Sequence, residues 1–223
     1  LREMERDFEG FSKAVRLVMQ EAARGALSGV HGPVSKLIRV EDRYTTAIET
    51  ALGAAMQNII VDDEASGKAA IQLLKRRDAG RATFLPLSTV TGRRLSEPSL
   101  ANMPGYVGVA SELAQTDGRY QGILENLLGR TVIAETLDNA IAMARKTGNR
   151  VRIVTLDGQV MNPGGSMTGG SSAKSAGVLS RANELKRLEQ EREKLLDTQS
   201  DYKKSLQQAQ SQLAETEYEI KTI

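Results

Sequence analysis

The middle of this chain is written twice. Shifted by 76 positions without gaps, residues 29–53 lie over 105–129 with nine identities in 25 positions. Gly29 meets Gly105, Gly32 meets Gly108, Ser35 meets Ser111 and Leu37 meets Leu113. Arg43-Tyr44 meets Arg119-Tyr120, Glu49 meets Glu125, and Leu52-Gly53 meets Leu128-Gly129. Further on, Asn58-Ile59-Ile60-Val61 answers Thr131-Val132-Ile133-Ala134, and Gly80–Leu85 answers Asn149–Val154. A repeat of this length constrains the fold more than any local propensity, because both copies must satisfy one architecture.

Each copy reads alike. A Gly-bounded turn leads to a helix that Gly53 or Gly129 is placed to cap. A short β-branched strand follows, then a second amphipathic helix over Glu64–Arg77 or Leu137–Lys146, then a closing strand. Leu87–Met103, rich in Ser, Pro, Gly and Arg, reads as the connector. The expected class is α+β, with two pseudo-repeated α/β lobes related by a pseudo-two-fold axis, a body suited to symmetric association.

The two ends follow a different period. Leu1, Met4, Phe8, Phe11, Val15, Val18 and Ala22 step by three and four, which fills each a and d position of a heptad. The spacing returns from Leu185, with Leu185, Leu188, Leu195, Tyr202, Leu206, Leu213 and Ile220 among its apolar members and no Pro or Gly from Ala182 to Ile223. A seam this narrow predicts coiled-coil arms, antiparallel if they pair within one molecule; an ordinary helix packed on a core is the plainer alternative. At 1.5 Å per residue the first arm reaches roughly 36 Å and the second roughly 62 Å. The surplus beyond about Tyr202, and a first residue that is Leu, predict a piece of a longer protein whose missing partner helix lies upstream of Leu1. The expected units are thus residues 1–24, an N-terminal arm; 25–104 and 105–182, two lobes; and 183–223, a C-terminal arm.

Composition removes most catalytic chemistry. The 223 residues contain no Cys and no Trp, and His31 is the single histidine. Thiolate zinc sites, disulfides, cysteine nucleophiles and multi-histidine metal centres are excluded together. No Ser or acid partner is evident for His31, so a structural or solvent-facing role is expected. Asp62-Asp63-Glu64 could be an acid/base or metal cluster, but its place before an amphipathic helix predicts N-terminal capping. Residues 25–182 hold eighteen basic and fourteen acidic groups, whereas the arms are neutral or slightly acidic, so any attraction for nucleic acid belongs to the middle.

The stretch Asp157–Gly170 contains Gly158, Gly164, Gly165, Gly169 and Gly170. It is not a phosphate loop, because no G-x-x-x-x-G-K-[ST] string occurs and no G-x-G-x-x-G follows a strand. A flexible linker accounts for Ser171–Ala176 but not for Val160, Met161 and Met167. The remaining reading is an extended segment where another backbone packs closely, with free N–H and C=O groups that can add to a neighbouring sheet edge.

Taken together, these residues resemble the hinge domain of structural maintenance of chromosomes (SMC) proteins, the prokaryotic type above all. Gly158, Gly165, Gly169 and Gly170 match that family's Gly-x6-Gly-x3-Gly-Gly signature; Gly29–Gly32, Ala47–Gly53 and Gly80–Leu87 also follow its pattern. The resemblance covers roughly 25–182. It implies a non-enzymatic domain whose two lobes form a ring-shaped homodimer, with Gly158, Gly164, Gly165, Gly169 and Gly170 at the interfaces. It also implies a place in a chromosome condensation and segregation assembly, cytoplasmic and nucleoid-associated. ATP and Mg would bind only at head domains absent from this chain, kleisin and accessory subunits only at other absent regions, and no cofactor or metal here. Weak DNA binding without sequence preference is implied for basic residues near the arms; the candidates are Lys174 and Arg181 first, then Arg76-Arg77 and Arg145-Lys146, with Lys13, Arg16 and Arg24 on the entering helix. A different class, a small-ligand-binding regulatory domain with coiled-coil transmitter helices, would instead need a polar pocket between the lobes.

Overall fold

The computed structural model describes residues 10–170 and 177–222. Helix α1 (Lys13–Ala23) enters first, capped by the Ser12 hydroxyl, which accepts from the Val15 N–H at 3.4 Å. The first lobe then builds β1 (Val30–Pro33), β2 (Ile38–Val40), α2 (Thr45–Leu52), β3 (Ile59–Val61), α3 (Glu64–Arg76) and β4 (Phe84–Pro86). The second repeats the order as β5 (Tyr106–Val109), β6 (Ala114–Thr116), α4 (Gln121–Leu128), β7 (Thr131–Ala134), α5 (Leu137–Lys146) and β8 (Arg152–Thr155). It adds a hairpin that the first lobe lacks, β9 (Val160–Met161) and β10 (Met167–Thr168). Helix α6 (Val178–Thr222) closes the chain.

The duplication survives at the level of hydrogen bonds. In the first lobe β1 runs antiparallel to β3 with a bulge between Val30 and Gly32; in the second, β5 runs antiparallel to β7 with a bulge between Tyr106 and Gly108. Parallel pairing of β3 with β4 and of β7 with β8 brackets a crossover helix, as parallel neighbours require. Those helices start alike: the Asp63 carboxylate accepts from the Ser66 N–H at 2.8 Å, and the Thr136 hydroxyl from the Asn139 N–H at 3.3 Å. The expected capping by Asp63 is therefore present. The two sheets are ordered β1-β3-β4 and β10-β9-β8-β7-β5. Strand β7 is buried along its whole length, the signature of a central strand covered on both faces.

The lobes are joined by a third, two-stranded ribbon of β2 with β6, in which Ile38 faces Thr116, Arg39 faces Gln115 and Val40 faces Ala114. Beneath it a common core takes Ile48, Ala47, Val34 and Ile60 from the first lobe and Leu124, Leu128, Ile133 and Val154 from the second. Each lobe keeps a smaller core of its own. In the first, Ile59, Val61, Ala70 and Leu74 pack with Phe11, Ala14, Val15 and Val18 of the entering segment. From Phe11 to Val18 the entering stripe is therefore lobe core, and the burial of Ala14 makes its face wider than a coiled-coil seam. The stripe's first members, Leu1, Met4 and Phe8, lie outside the described residues, and its last, Ala22, is half-buried. The second lobe's core includes Leu100, 1% exposed, with Leu95 and Met103 beside it, so the connector is bound by packing to the lobe that follows it.

Residues 182–223 form a separate compact unit. Along α6 the expected seam residues Leu195, Tyr202, Leu206, Leu213 and Ile220 are all exposed. An uninterrupted 45-residue helix with a bare apolar stripe fits a coiled-coil stub. Among the described residues no helix is long and apolar enough to cross a membrane.

Candidate functional site

The glycine-rich run folds as the β9–β10 hairpin on one border of the five-stranded sheet. Val160 faces Thr168 and Met161 faces Met167; the Asn162 N–H donates to the Ser166 carbonyl at 2.8 Å and closes the turn. Because antiparallel pairs alternate between bonded and non-bonded, the N–H and C=O of Met167 point away from β9. Nothing among the described residues pairs with that outer side of β10, and both its residues are exposed. In the other sheet β4 occupies a border, at the place where β9 stands beside β8 in the second lobe.

The five glycines do different work. Gly164 and Gly170 have positive φ, +88° and +131°, with nothing within 4 Å of where a Cβ would stand. Gly165 turns beside Asn149, and Gly164 donates its N–H to the Asn149 carbonyl at 2.8 Å. At Gly169 a Cβ would run into the Gln159 side chain, whose amide oxygen accepts from the Gly170 N–H at 2.9 Å. Gly158 is different: its α-carbon lies against α2 of the first lobe, where a Cβ would stand 3.0 Å from the Thr50 hydroxyl. Its small size is thus explained by an approach within the chain.

The described basic candidates lie on different elements. Arg76-Arg77 and Arg145-Lys146 are exposed at the C-terminal ends of the equivalent helices α3 and α5, where cations complement the helix dipole. Arg181 is half-buried in the first turn of α6, its guanidinium beside Gly10. Lys13 and Arg16 are exposed on α1, and Arg24 pairs with Glu21 at 3.1 Å. Lys174 lies outside the described residues.

Sequence reasoning passed over several contacts between lobes. The His31 Nε2 lies 2.7 Å from Asp62 Oδ1, and its Nδ1 lies 3.1 Å from the hydroxyl of Tyr120, a second-lobe residue. Burial pushes the Tyr120 hydroxyl above its ordinary pKa. Arg152 of β8 donates to the Ala51 carbonyl at 2.7 Å at the end of α2. Glu125 accepts from Gln121 at 3.0 Å and Arg94 at 2.7 Å, and these bonds hold its carboxyl below the usual range. Glu49, the same position in the first copy, accepts from the first-turn amides of α6. The duplication could have flagged both glutamates, since Glu is identical in the two copies, but not what they hold.

A duplicated two-lobed α+β body with an unfilled sheet border and a long helix leaving it defines a hinge-type domain. The family of SMC proteins' flexible hinge domains matches over residues 27–144, and the chain belongs to that family. It is similar to the chromosome partition protein Smc of Bacillus subtilis, 44% identical over all of this chain and 18% of that protein. The counterpart from Lactiplantibacillus plantarum is 42% identical over 77% of this chain and 15% of that protein. This chain therefore spans less than a fifth of the length of either relative. Among solved structures, an asymmetric dimer of the Geobacillus stearothermophilus SMC hinge domain superposes with a TM-score of 0.81 at 44% identity, over 88% of this chain and 80% of that one. The Pyrococcus furiosus hinge domain gives 0.61 at 30% identity, over 78% and 88%.

Proposed function

We propose that this chain is the homodimerisation hinge of a chromosome-partitioning SMC protein, joining two coiled-coil arms and adding weak, sequence-independent attraction for DNA. The observation that carries the reading is the mismatch between the lobes. The first ends its sheet at β4, while the second continues through β9 to β10 and presents an unpaired border. A second copy can set its β10 against β4, and two-fold symmetry makes the same contact twice. Gly164, Gly165, Gly169 and Gly170 keep that border free of bulk. The hinge solved from G. stearothermophilus is an asymmetric dimer, which supports self-association of this chain and not the two-fold arrangement itself.

The bare apolar stripe on α6 supports a coiled-coil arm. DNA contact is assigned to Arg76-Arg77, Arg145-Lys146, Arg181 and Lys174, cations that would hold the phosphate backbone and not read bases.

Sedimentation velocity tests the central claim. The chain should run as a dimer, and Met167→Pro, which removes the outward N–H of β10 without touching the bonds that close the hairpin, should run as a folded monomer. A monomeric parent chain overturns the reading; a dimer unaffected by the substitution places the interface elsewhere.

A further inference from the structure

Glu49 and Glu125 occupy one position of the duplication, on α2 and α4, and each clamps a segment that has just left the other lobe. Glu125 grips the connector: it binds Arg94, and Gly92 passes so close that a Cβ there would stand 2.5 Å from Glu125 Oε2. Glu49 grips the start of α6. It accepts from the N–H of Leu179 at 2.8 Å and of Ser180 at 3.1 Å, and from the Ser180 hydroxyl at 3.4 Å. Gly177 passes it so closely that a Cβ would overlap the carboxylate.

The first amides of any helix lack partners within it, and a Ser, Thr, Asp or Asn just before the helix normally serves them. Here the residue before Val178 is Gly177, which has no side chain to offer. The cap comes instead from 130 positions away, and its negative charge suits the positive end of the helix dipole. Leu179, 4% exposed, is buried in the common core beside the same contact. Helix α6 follows the second lobe in sequence but is rooted on the first.

Helix α2 is itself held by the second lobe. Arg152 donates to the Ala51 carbonyl at 2.7 Å and the Thr50 carbonyl at 3.4 Å, and the Gly158 turn rests on Thr46 and Thr50. We propose that Glu49 is a latch that makes the root of α6 depend on how the two lobes are packed. When the second lobe's hold on α2 loosens, Glu49 moves off the Leu179 and Ser180 amides and the first turn of α6 frays. The idea does not rest on dimerisation, since every contact in it lies within one chain.

Site-resolved amide hydrogen exchange on the 223-residue chain tests it. Glu49→Ala should speed exchange at Leu179 and Ser180 about tenfold, the usual scale for losing a helix cap, while Ile133 and Val154 keep their protection. Glu49→Gln, which retains an accepting oxygen, should give a smaller change. If Glu49→Ala fails to fold, Gly177→Ala displaces the carboxylate without altering α2 and should reproduce the effect. Arg152→Ala should raise exchange at the same two amides through the second lobe. Unchanged protection of Leu179 and Ser180 in Glu49→Ala or Gly177→Ala overturns the latch, as does a uniform rise across the core. Unchanged protection in Arg152→Ala overturns its dependence on lobe packing.

Discussion

Arg39 faces Gln115 across the β2–β6 ribbon, and the two residues are one position of the 76-residue repeat. A strand paired with its own duplicate has this property only at a two-fold axis. The neighbouring pairs obey it too, since Ile38 with Thr116 and Val40 with Ala114 exchange under the same shift. The pseudo-dyad thus passes between Arg39 and Gln115. Directly opposed residues on an antiparallel pair feel each other's charge. Gln115→Glu should stabilise the chain by about 0.2–1 kcal/mol and Gln115→Arg destabilise it by a similar amount. Urea unfolding at low and high salt reads both, and both effects should shrink as salt screens them.

The His31–Tyr120 contact ties the lobes at a second place. Tyr120→Phe removes one hydrogen bond and should cost about 0.5–1.5 kcal/mol. In a double-mutant cycle with His31→Ala, the two losses should fall short of additivity by most of that amount. Strict additivity would mean that the contact contributes nothing.

Asp63 gives a pH dependence of known sign. The Ser66 backbone N–H first, and then its hydroxyl, hold the Asp63 carboxyl below its ordinary value of 3.8. A carboxyl depressed in the folded state stabilises it above the unfolded pKa, and that contribution is lost as pH falls through the folded value. The stability difference between the parent chain and Asp63→Asn should therefore be constant near neutrality and change only below about pH 5, as pH falls toward and through the ordinary value of 3.8. Thermal unfolding from pH 7 down to pH 2 checks this; a difference that changes between pH 5 and 7 contradicts it.

Two isoleucines on related elements should behave oppositely. Ile133 is fully buried on β7, so Ile133→Ala should cost about 2–5 kcal/mol. Ile71 on α3 is 54% exposed, and Ile71→Ala should stay within about 0.5 kcal/mol. Chemical denaturation measures both.

If the exposed pairs contact DNA, replacing Arg76-Arg77 or Arg145-Lys146 by alanine should weaken duplex binding alike for every sequence. Each lost phosphate contact should lower the salt slope by about one. Fluorescence anisotropy across a salt series reads it, and an unchanged slope in both variants moves the contact elsewhere.

Local order was legible in the chain. The repeat announced two lobes, the strand equivalences Ile59–Val61 with Val132–Ala134 held in register, and Asp63 was placed as a cap, because turns, caps and periodicity are relations between residues a few positions apart. Gly53 and Gly129 both end helices as expected, yet for different reasons. Gly53 adopts φ +50°, whereas Gly129 has an ordinary φ and is small because Arg93 and Glu125 carbonyls crowd it. Tertiary structure alone decided which neighbours the periodic faces met. It put Val15 and Val18 into the first lobe's core, set Gly158 against α2, and brought Glu49 to amides 130 residues away. An apolar stripe specifies that a face must be covered, and a carboxylate that it needs donors; only packing in three dimensions chooses among the surfaces and donors able to serve.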